Sequence, residues 1–149
     1  MAGIQVAVIG SGAEHEERAE RVGRLLAERG CAVVTGGLGE VMAAAMRGAK
    51  AAGGTTIGIV PAESRAEANE WCDAVVATGT GHARNLAVVA SGDAVIAVGG
   101  SWGTLAEIGY ARVLGRCVVI LEPGWAVEGV ERAGTPEEAV EAALRELGD

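Results

Sequence analysis

Short apolar runs alternate with longer stretches of helical period along this chain. Residues 4–9 form the first run, broken only by Gln5, the pattern of a strand buried on both faces of a parallel sheet. Residues 14–29 then place Ala19, Val22, Leu25 and Leu26 on one helical face. The (i, i+4) pairs Glu14/Arg18, Glu17/Arg21 and Glu20/Arg24 fall on the other, and Gly30 is the stop. A second strand over 31–35 leads into a helix of small residues over 39–52, with Val41, Met42, Ala45, Met46 and Ala49 inward and Gly53-Gly54 at its end. Residues 55–60 read as a third strand closed by Pro61, 62–72 as a charged loop with a helical turn, and 73–78 as a fourth strand. A short helix over 83–91 stopped by Gly92, a fifth strand over 94–98, a helix over 104–114 stopped by Gly115 and a sixth strand over 117–121 continue the alternation. Thr135-Pro136-Glu137-Glu138 is a capping box with proline at the first helical position. It opens a last helix with Ala139, Val140, Ala143, Leu144 and Leu147 inward and Gly148 as its stop.

Alternating strands and helices with right-handed crossovers predict an α/β fold: a Rossmann-like open parallel sheet with helices on both faces, three layers deep. No linker, repeat or break in composition divides the 149 residues, so residues 1–149 are read as a single Rossmann-like nucleotide-binding domain. A net charge of -8 disfavours nucleic acid as a partner. The longest uncharged run, residues 94–106, is too short to span a bilayer, so no membrane association is expected. The start lacks a basic segment ahead of a long apolar one, so no signal peptide is expected. Cys31, Cys72 and Cys117 are far apart and include no CxxC, and neither His15 nor His82 has metal-ligand company. No disulfide framework, metal or resident cofactor is expected, and a reducing cytoplasmic compartment is.

Glycine changes the picture, because 24 of the residues are glycine and many follow strands. Ligands of open α/β sheets bind beyond the carboxyl ends of the strands. Four of those ends read Gly10-Ser11-Gly12, Gly36-Gly37-Leu38-Gly39, Gly79-Thr80-Gly81 and Gly99-Gly100-Ser101-Trp102-Gly103-Thr104. Turns without a Cβ let backbone N–H groups approach an anion, and a following helix adds its positive end. Gly10, Ser11, Gly36, Gly37, Gly39, Gly99, Gly100, Ser101, Gly103 and Thr104 are therefore the candidate phosphate- or ligand-binding residues, for a nucleotide or a sugar phosphate. His15 stands where a dinucleotide fingerprint needs its third glycine, no acid ends the second strand, and the only lysine, Lys50, lies within a helix. These departures exclude the usual NAD and P-loop patterns. Arg84, in the first turn of its helix, opposes the helix dipole and calls for a negative partner. Glu107 has two readings: a capping box with Thr104 three residues before it, or a carboxylate beside a bound sugar that stabilises an oxocarbenium-like centre or activates water. Trp102, inside the glycine loop, either stacks on a base or packs on another subunit, whereas Trp71 and Trp125 read as packing residues.

Gly36-Gly37-x-Gly39-x-x-Met42, Gly58-Ile59-Val60-Pro61, Ala83-Arg84-Asn85 and Gly99-Gly100-x-x-Gly103-Thr104-x-x-Glu107 together resemble the LOG (Lonely Guy) family, many of whose members bear the label "possible lysine decarboxylase". The resemblance covers roughly residues 4–121. It implies a Rossmann-like fold, a homodimer or homotetramer, and hydrolysis of the N-glycosidic bond of nucleoside 5'-monophosphates to base and ribose 5-phosphate. Under it, Gly99, Gly100, Gly103 and Thr104 hold phosphate, Glu107 acts at the sugar carbon and Arg84 stands near the substrate. Arg84 and Glu107 are then the candidate catalytic residues, with Asn85 and Trp102 as further ligand contacts. A chain whose only lysine is Lys50 is a poor decarboxylase. Val98 stands where the family enzymes have proline, Asn85 where they have lysine and Ser101 where they often have glycine. These traits and the short chain look more like a subgroup that includes molybdenum cofactor carrier proteins. Two functions stay open: a phosphoribohydrolase, or alternatively a non-catalytic binding or carrier protein for a phosphorylated cofactor such as molybdenum cofactor. Ala43, Ala44 and Ala45 in one helix and Ala106, Gly109 and Ala111 in another suit close packing between subunits.

Overall fold

A computed structural model describes residues 3–147; Gly148, the expected stop of the last helix, lies outside them. The first half of the chain runs β1 (Gln5–Ser11), α1 (Glu16–Glu28), β2 (Ala32–Thr35), α2 (Val41–Ala51), β3 (Thr56–Val60) and β4 (Ala74–Ala77). The second half runs α3 (Arg84–Ser91), β5 (Ala94–Gly99), α4 (Trp102–Val113), β6 (Cys117–Leu121), β7 (Glu131–Ala133) and α5 (Pro136–Arg145). The seven strands are parallel, in the order β4-β3-β2-β1-β5-β6-β7. This is the Rossmann-like three-layer sheet that the alternation predicts, with one strand more. β7 pairs with β6 from Val119↔Glu131 to Leu121↔Ala133. It is a three-residue edge strand whose first two side chains, Glu131 and Arg132, are charged and exposed, so no apolar run announces it.

β1 is the turning point of the chain. The strands step outward through β2, β3 and β4, return to the opposite side of β1 at β5, and step outward again through β6 and β7. β1 and β5 are in register from Val6↔Ala94 to Ser11↔Gly99, so the loops that leave them diverge from neighbouring positions. Such a reversal opens a crevice at the carboxyl edge, where ligands of this fold class bind.

Alternation along the strands builds two cores. Val6 and Val8 of β1, with Ile96 and Val98 of β5, pack under α1, α2 and α5. Ala7 and Ile9, with Val95 and Ala97, pack under α3 and α4. The first layer is tight because two glycines meet backbone. A Cβ on Gly23 of α1 would lie 1.8 Å from the Ala45 carbonyl oxygen, and one on Gly48 of α2 would lie 2.0 Å from that of Glu20. Ala44 and Ala45 are buried against this seam, so these two of the small residues expected to join subunits are used inside the chain. α1 also departs from its expected ion pairs. Arg21 pairs with Glu137 of α5 at 2.8 Å, Glu20 with Arg47 of α2 at 3.3 Å, and Arg24 with Glu28 at 3.3 Å. Helices on both flanks offer Arg21 and Glu20 partners outside α1, and Arg24 turns to the next acid along its own helix.

α4 starts at Trp102, two residues before the expected start, with Ser101 ahead of it and no side-chain cap. Thr104 thus sits within the first turn, and the capping box read from Thr104 and Glu107 is not formed. At α5 the predicted box does form: Thr135 Oγ1 accepts from the Glu138 N–H at 3.1 Å, and Glu138 Oε1 accepts from the Gly134 N–H at 3.0 Å. Among the described residues no helix is long and apolar enough to cross a membrane, and Cys31, Cys72 and Cys117 are free thiols.

Candidate functional site at the sheet reversal

A cavity of about 190 Å³ opens where the loops after β1 and β5 part. Val8, Ile9, Gly10 and Ser11 form one wall, Gly36 and Met42 a second, His82, Arg84 and Asn85 a third, and Ser101, Gly103, Thr104 and Glu107 a fourth. Four separate chain segments supply these walls, so the site exists only in the folded sheet. Pockets that hold drug-sized ligands start at roughly 300 Å³. This one has room for only part of a molecule of that size. An adjoining hollow of about 320 Å³, lined by His15, Gly99, Gly100, Pro123, Gly124, Trp125 and Ala126, lies across the Gly99-Gly100 turn.

The glycines keep the walls thin. Gly10 has φ +135°, and a Cβ there would fall 1.9 Å from the Val98 carbonyl oxygen. At Gly36 a Cβ would meet the Arg84 guanidinium and the Met42 sulfur, each at 2.8 Å. Gly36 therefore provides the space in which Arg84 lies.

Arg84 opens α3, and its Nη1 donates to Asn85 Oδ1. Its Nε is buried and has no hydrogen-bond partner. Burial pushes the guanidinium below its ordinary value, while the negative charges of Glu107 and Glu67 pull it back up. Glu107, on the next turn of α4 after Thr104, is only 8% exposed and Thr104 only 4%. Desolvation raises the Glu107 carboxyl to about 7, Arg84 counteracting through space, and no hydrogen bond contributes. A buried guanidinium with an unused N–H, and a buried carboxyl titrating near neutrality, meet in one small space. Such pairs mark sites where a ligand supplies the missing partner. Among the described residues no group of three or more histidine, cysteine, aspartate or glutamate side chains could hold a metal ion.

Loop contacts brace the site. The Gly12 N–H donates to Glu40 Oε1 at 2.8 Å, joining the turn after β1 to the start of α2. Glu40 holds φ +55°, a left-handed conformation that costs a non-glycine residue on the order of 1 kcal/mol or more. Arg18 donates to His15 Nδ1 and to the Glu122 carbonyl oxygen, tying that turn to the loop after β6. Trp125 donates from Nε1 to the Ser101 carbonyl oxygen at 3.0 Å. Its ring centroid lies 5.1 Å from that of Trp102. Trp125 is thus a packing residue, as its surroundings in the chain predict, and it steadies the glycine loop.

The model of the SLOG cluster4 family matches residues 3–146. The chain belongs to the SLOG cluster4 family. An uncharacterized protein from Archaeoglobus fulgidus is 45% identical over 140 residues, 92% of each chain. Among solved structures, the molybdenum cofactor binding protein of Rippkaea orientalis is 31% identical and superposes with a TM-score of 0.92 over 99% of both chains. The molybdenum cofactor carrier protein of Chlamydomonas reinhardtii is 31% identical, with a TM-score of 0.89 over 99% of this chain and 100% of that one. The carrier-like subgroup to which Asn85, Val98 and Ser101 point is therefore the one whose solved structures this SLOG cluster4 chain superposes on.

Of the candidate residues, Gly10, Ser11, Gly36, Arg84, Asn85, Ser101, Gly103, Thr104 and Glu107 line one cavity. Gly99 and Gly100 line the adjoining hollow instead. Gly37 packs against Gly58 and Val60, and its N–H donates to Thr35 Oγ1, while Gly39 is exposed and Trp102 lies on the surface. Gly37, Gly39 and Trp102 are not among the residues lining either space. Val8 and Ile9 complete the lining, and no sequence signal separates them from other strand residues. His82 and Met42 line it too; Met42 was legible as part of the Gly36-Gly37-x-Gly39-x-x-Met42 element, and His82 stood out only as a histidine without metal-ligand company.

Proposed function

We propose that this protein binds a phosphorylated small molecule at the β1/β5 cavity and carries it without cleaving it, molybdenum cofactor being the candidate cargo. The observation that carries this reading is full-length likeness to two proteins named for binding or carrying that cofactor, one in Rippkaea orientalis and one in Chlamydomonas reinhardtii. The site suits such a cargo chemically. Backbone turns and the unused Arg84 N–H receive the phosphate, and a cavity of about 190 Å³ leaves a bulky pterin outside, over the adjoining hollow.

One observation favours the hydrolase reading. A carboxyl raised to about 7 is poised for proton transfer at neutral pH. Against it, Glu107 is the sole acid lining the cavity among the described residues, where most glycosidases work with two carboxylates. Both readings are decided together. Protein purified without oxygen is expected to show a bound phosphorylated mass in native mass spectrometry, and incubation with AMP is expected to leave no free adenine. Steady adenine release that stops in Glu107→Gln would overturn the carrier reading in favour of the hydrolase.

We further propose that the protein works as a homo-oligomer. α3 and α4 expose a run of apolar side chains, with Trp102 at 75% and Val113 at 83% accessibility beside Leu86 and Tyr110. Between them Gly109 has open space where a Cβ would stand. Apolar knobs beside a small-residue gap suit a self-complementary contact between two copies. Sedimentation is expected to give a multiple of the chain mass, and Val113→Asp is expected to return it to the monomer. A wild-type monomer at micromolar concentration would refute the proposal.

A further inference from the structure

The cavity sets two demands that conflict. Its turns at Gly10-Ser11 and Ser101–Gly103, together with the unpartnered Nε of Arg84, are arranged to receive an anion. Yet the buried Glu107 carboxyl opens into the same space of about 190 Å³. No hydrogen bond and no ion pair engage Glu107 there among the described residues, and Arg84, which offsets its charge only through space, is also the cation that an arriving oxyanion draws on. Two like charges in so small a space favour protonation of one. A protonated carboxyl has an O–H to donate, which an anionic oxygen can accept.

We infer, building on the binding reading above, that Glu107 takes up one proton as the site takes up its phosphorylated ligand and donates the new O–H to an anionic ligand oxygen. The proton comes from solvent, one O–H bond forms at Glu107, and no bond of the ligand breaks. Desolvation already holds this carboxyl at about 7 in the free site, and a second anion pushes in the same direction. The charged and titratable groups facing Glu107 are Arg84 at the start of α3 and His82 in the turn before it. From β1 come Val8 and Ile9, and from the β2–α2 side Gly36 and Met42, none of which titrates in this range. Glu67, in the loop between β3 and β4, acts on Arg84.

The sign follows from the direction of the shift. Binding raises the Glu107 midpoint, so affinity is full below the free-site midpoint near 7 and falls as pH rises through the interval up to the bound-state midpoint. Within that interval one proton per anion means about a tenfold loss of affinity per pH unit. His82 lines the same space, so its contribution is separated by substitution.

The probe is sulfate, a phosphate mimic that stays dianionic between pH 5 and 9. Carbon NMR of the Glu107 carboxyl is followed across that range with and without sulfate, alongside the amide signals of residues 99–104. Saturating sulfate is expected to move the Glu107 midpoint up by at least one pH unit, in wild type and in His82→Gln alike. In the His82→Gln background, Glu107→Gln carries a fixed N–H donor and is expected to bind sulfate with a flat pH profile. Amide shifts with an unmoved Glu107 midpoint would overturn this inference and leave the binding reading intact. No amide response to sulfate at any pH would overturn the binding reading itself.

Discussion

Gly23→Ala is expected to destabilise the protein by about 3 kcal/mol, although alanine is the better helix former by about 1 kcal/mol. The added methyl would sit 1.8 Å from the Ala45 carbonyl oxygen, which is backbone and has no rotamer into which to retreat. α1 and α2 would have to separate by about 1 Å, opening the core around Ala19, Val22, Ala44 and Ala45, where packing is dense enough that such shifts propagate. For a chain of this length that cost lowers the melting temperature by roughly 10 °C. Gly109→Ala is the contrasting change. It lies within α4, nothing in the chain stands within 4 Å of its missing Cβ, and in the Val113→Asp background, where the proposed subunit contact is broken, substitution is expected to stabilise by up to about 1 kcal/mol. Thermal melts of the two variants should move in opposite directions. Equal shifts would mean that the α1–α2 seam is looser than the structure has it.

Arg84→Ala is expected to weaken binding of a phosphorylated ligand about 10- to 100-fold, the usual worth of one or two hydrogen bonds to a charged group. The unused N–H is the reason. A buried guanidinium nitrogen without a partner costs free energy in the empty site, and a ligand oxygen that accepts from it recovers that cost on binding. Arg84→Lys should restore only part of the affinity, because an ammonium cannot reproduce the planar fork that lies over Gly36. The fold should tolerate both changes, since Arg84 makes its one protein hydrogen bond to its neighbour Asn85. Calorimetric titration with the anion that native mass spectrometry identifies measures the effect. Unchanged affinity in Arg84→Ala would place the ligand head elsewhere along the strand ends.

Much of this architecture is legible along the chain because burial imposes its period locally. The apolar run of residues 4–9 makes a strand buried on both faces wherever it is placed. Thr135 to Glu138 close their own cap through contacts three and four residues apart. The glycine turns after β1 and β5 were also readable, since turns that bring backbone to an anion lack side chains for a local reason. β7 was not, because three residues at a sheet edge, the first two charged, leave no periodic trace. The start of α4 was misplaced because Trp102 and Gly103, poor helix formers by rank, are held in a helix whose loop is braced by Trp125.

By itself the sequence determined the class of fold, the edge of the sheet proposed to bind an anion, and the short list from which the candidate site is drawn. Tertiary structure alone decided which of those residues share a cavity. It sent Gly37 into packing against Gly58 and Val60, left Gly39 exposed, and brought Gly36 under Arg84. It also made Glu107 a buried, unbonded acid in place of a helix cap. The reason is physical. Turn chemistry and periodicity depend on near neighbours in the chain, whereas desolvation and an unsatisfied N–H depend on what distant segments bring, here the ends of β1 and β5 and the starts of α2, α3 and α4.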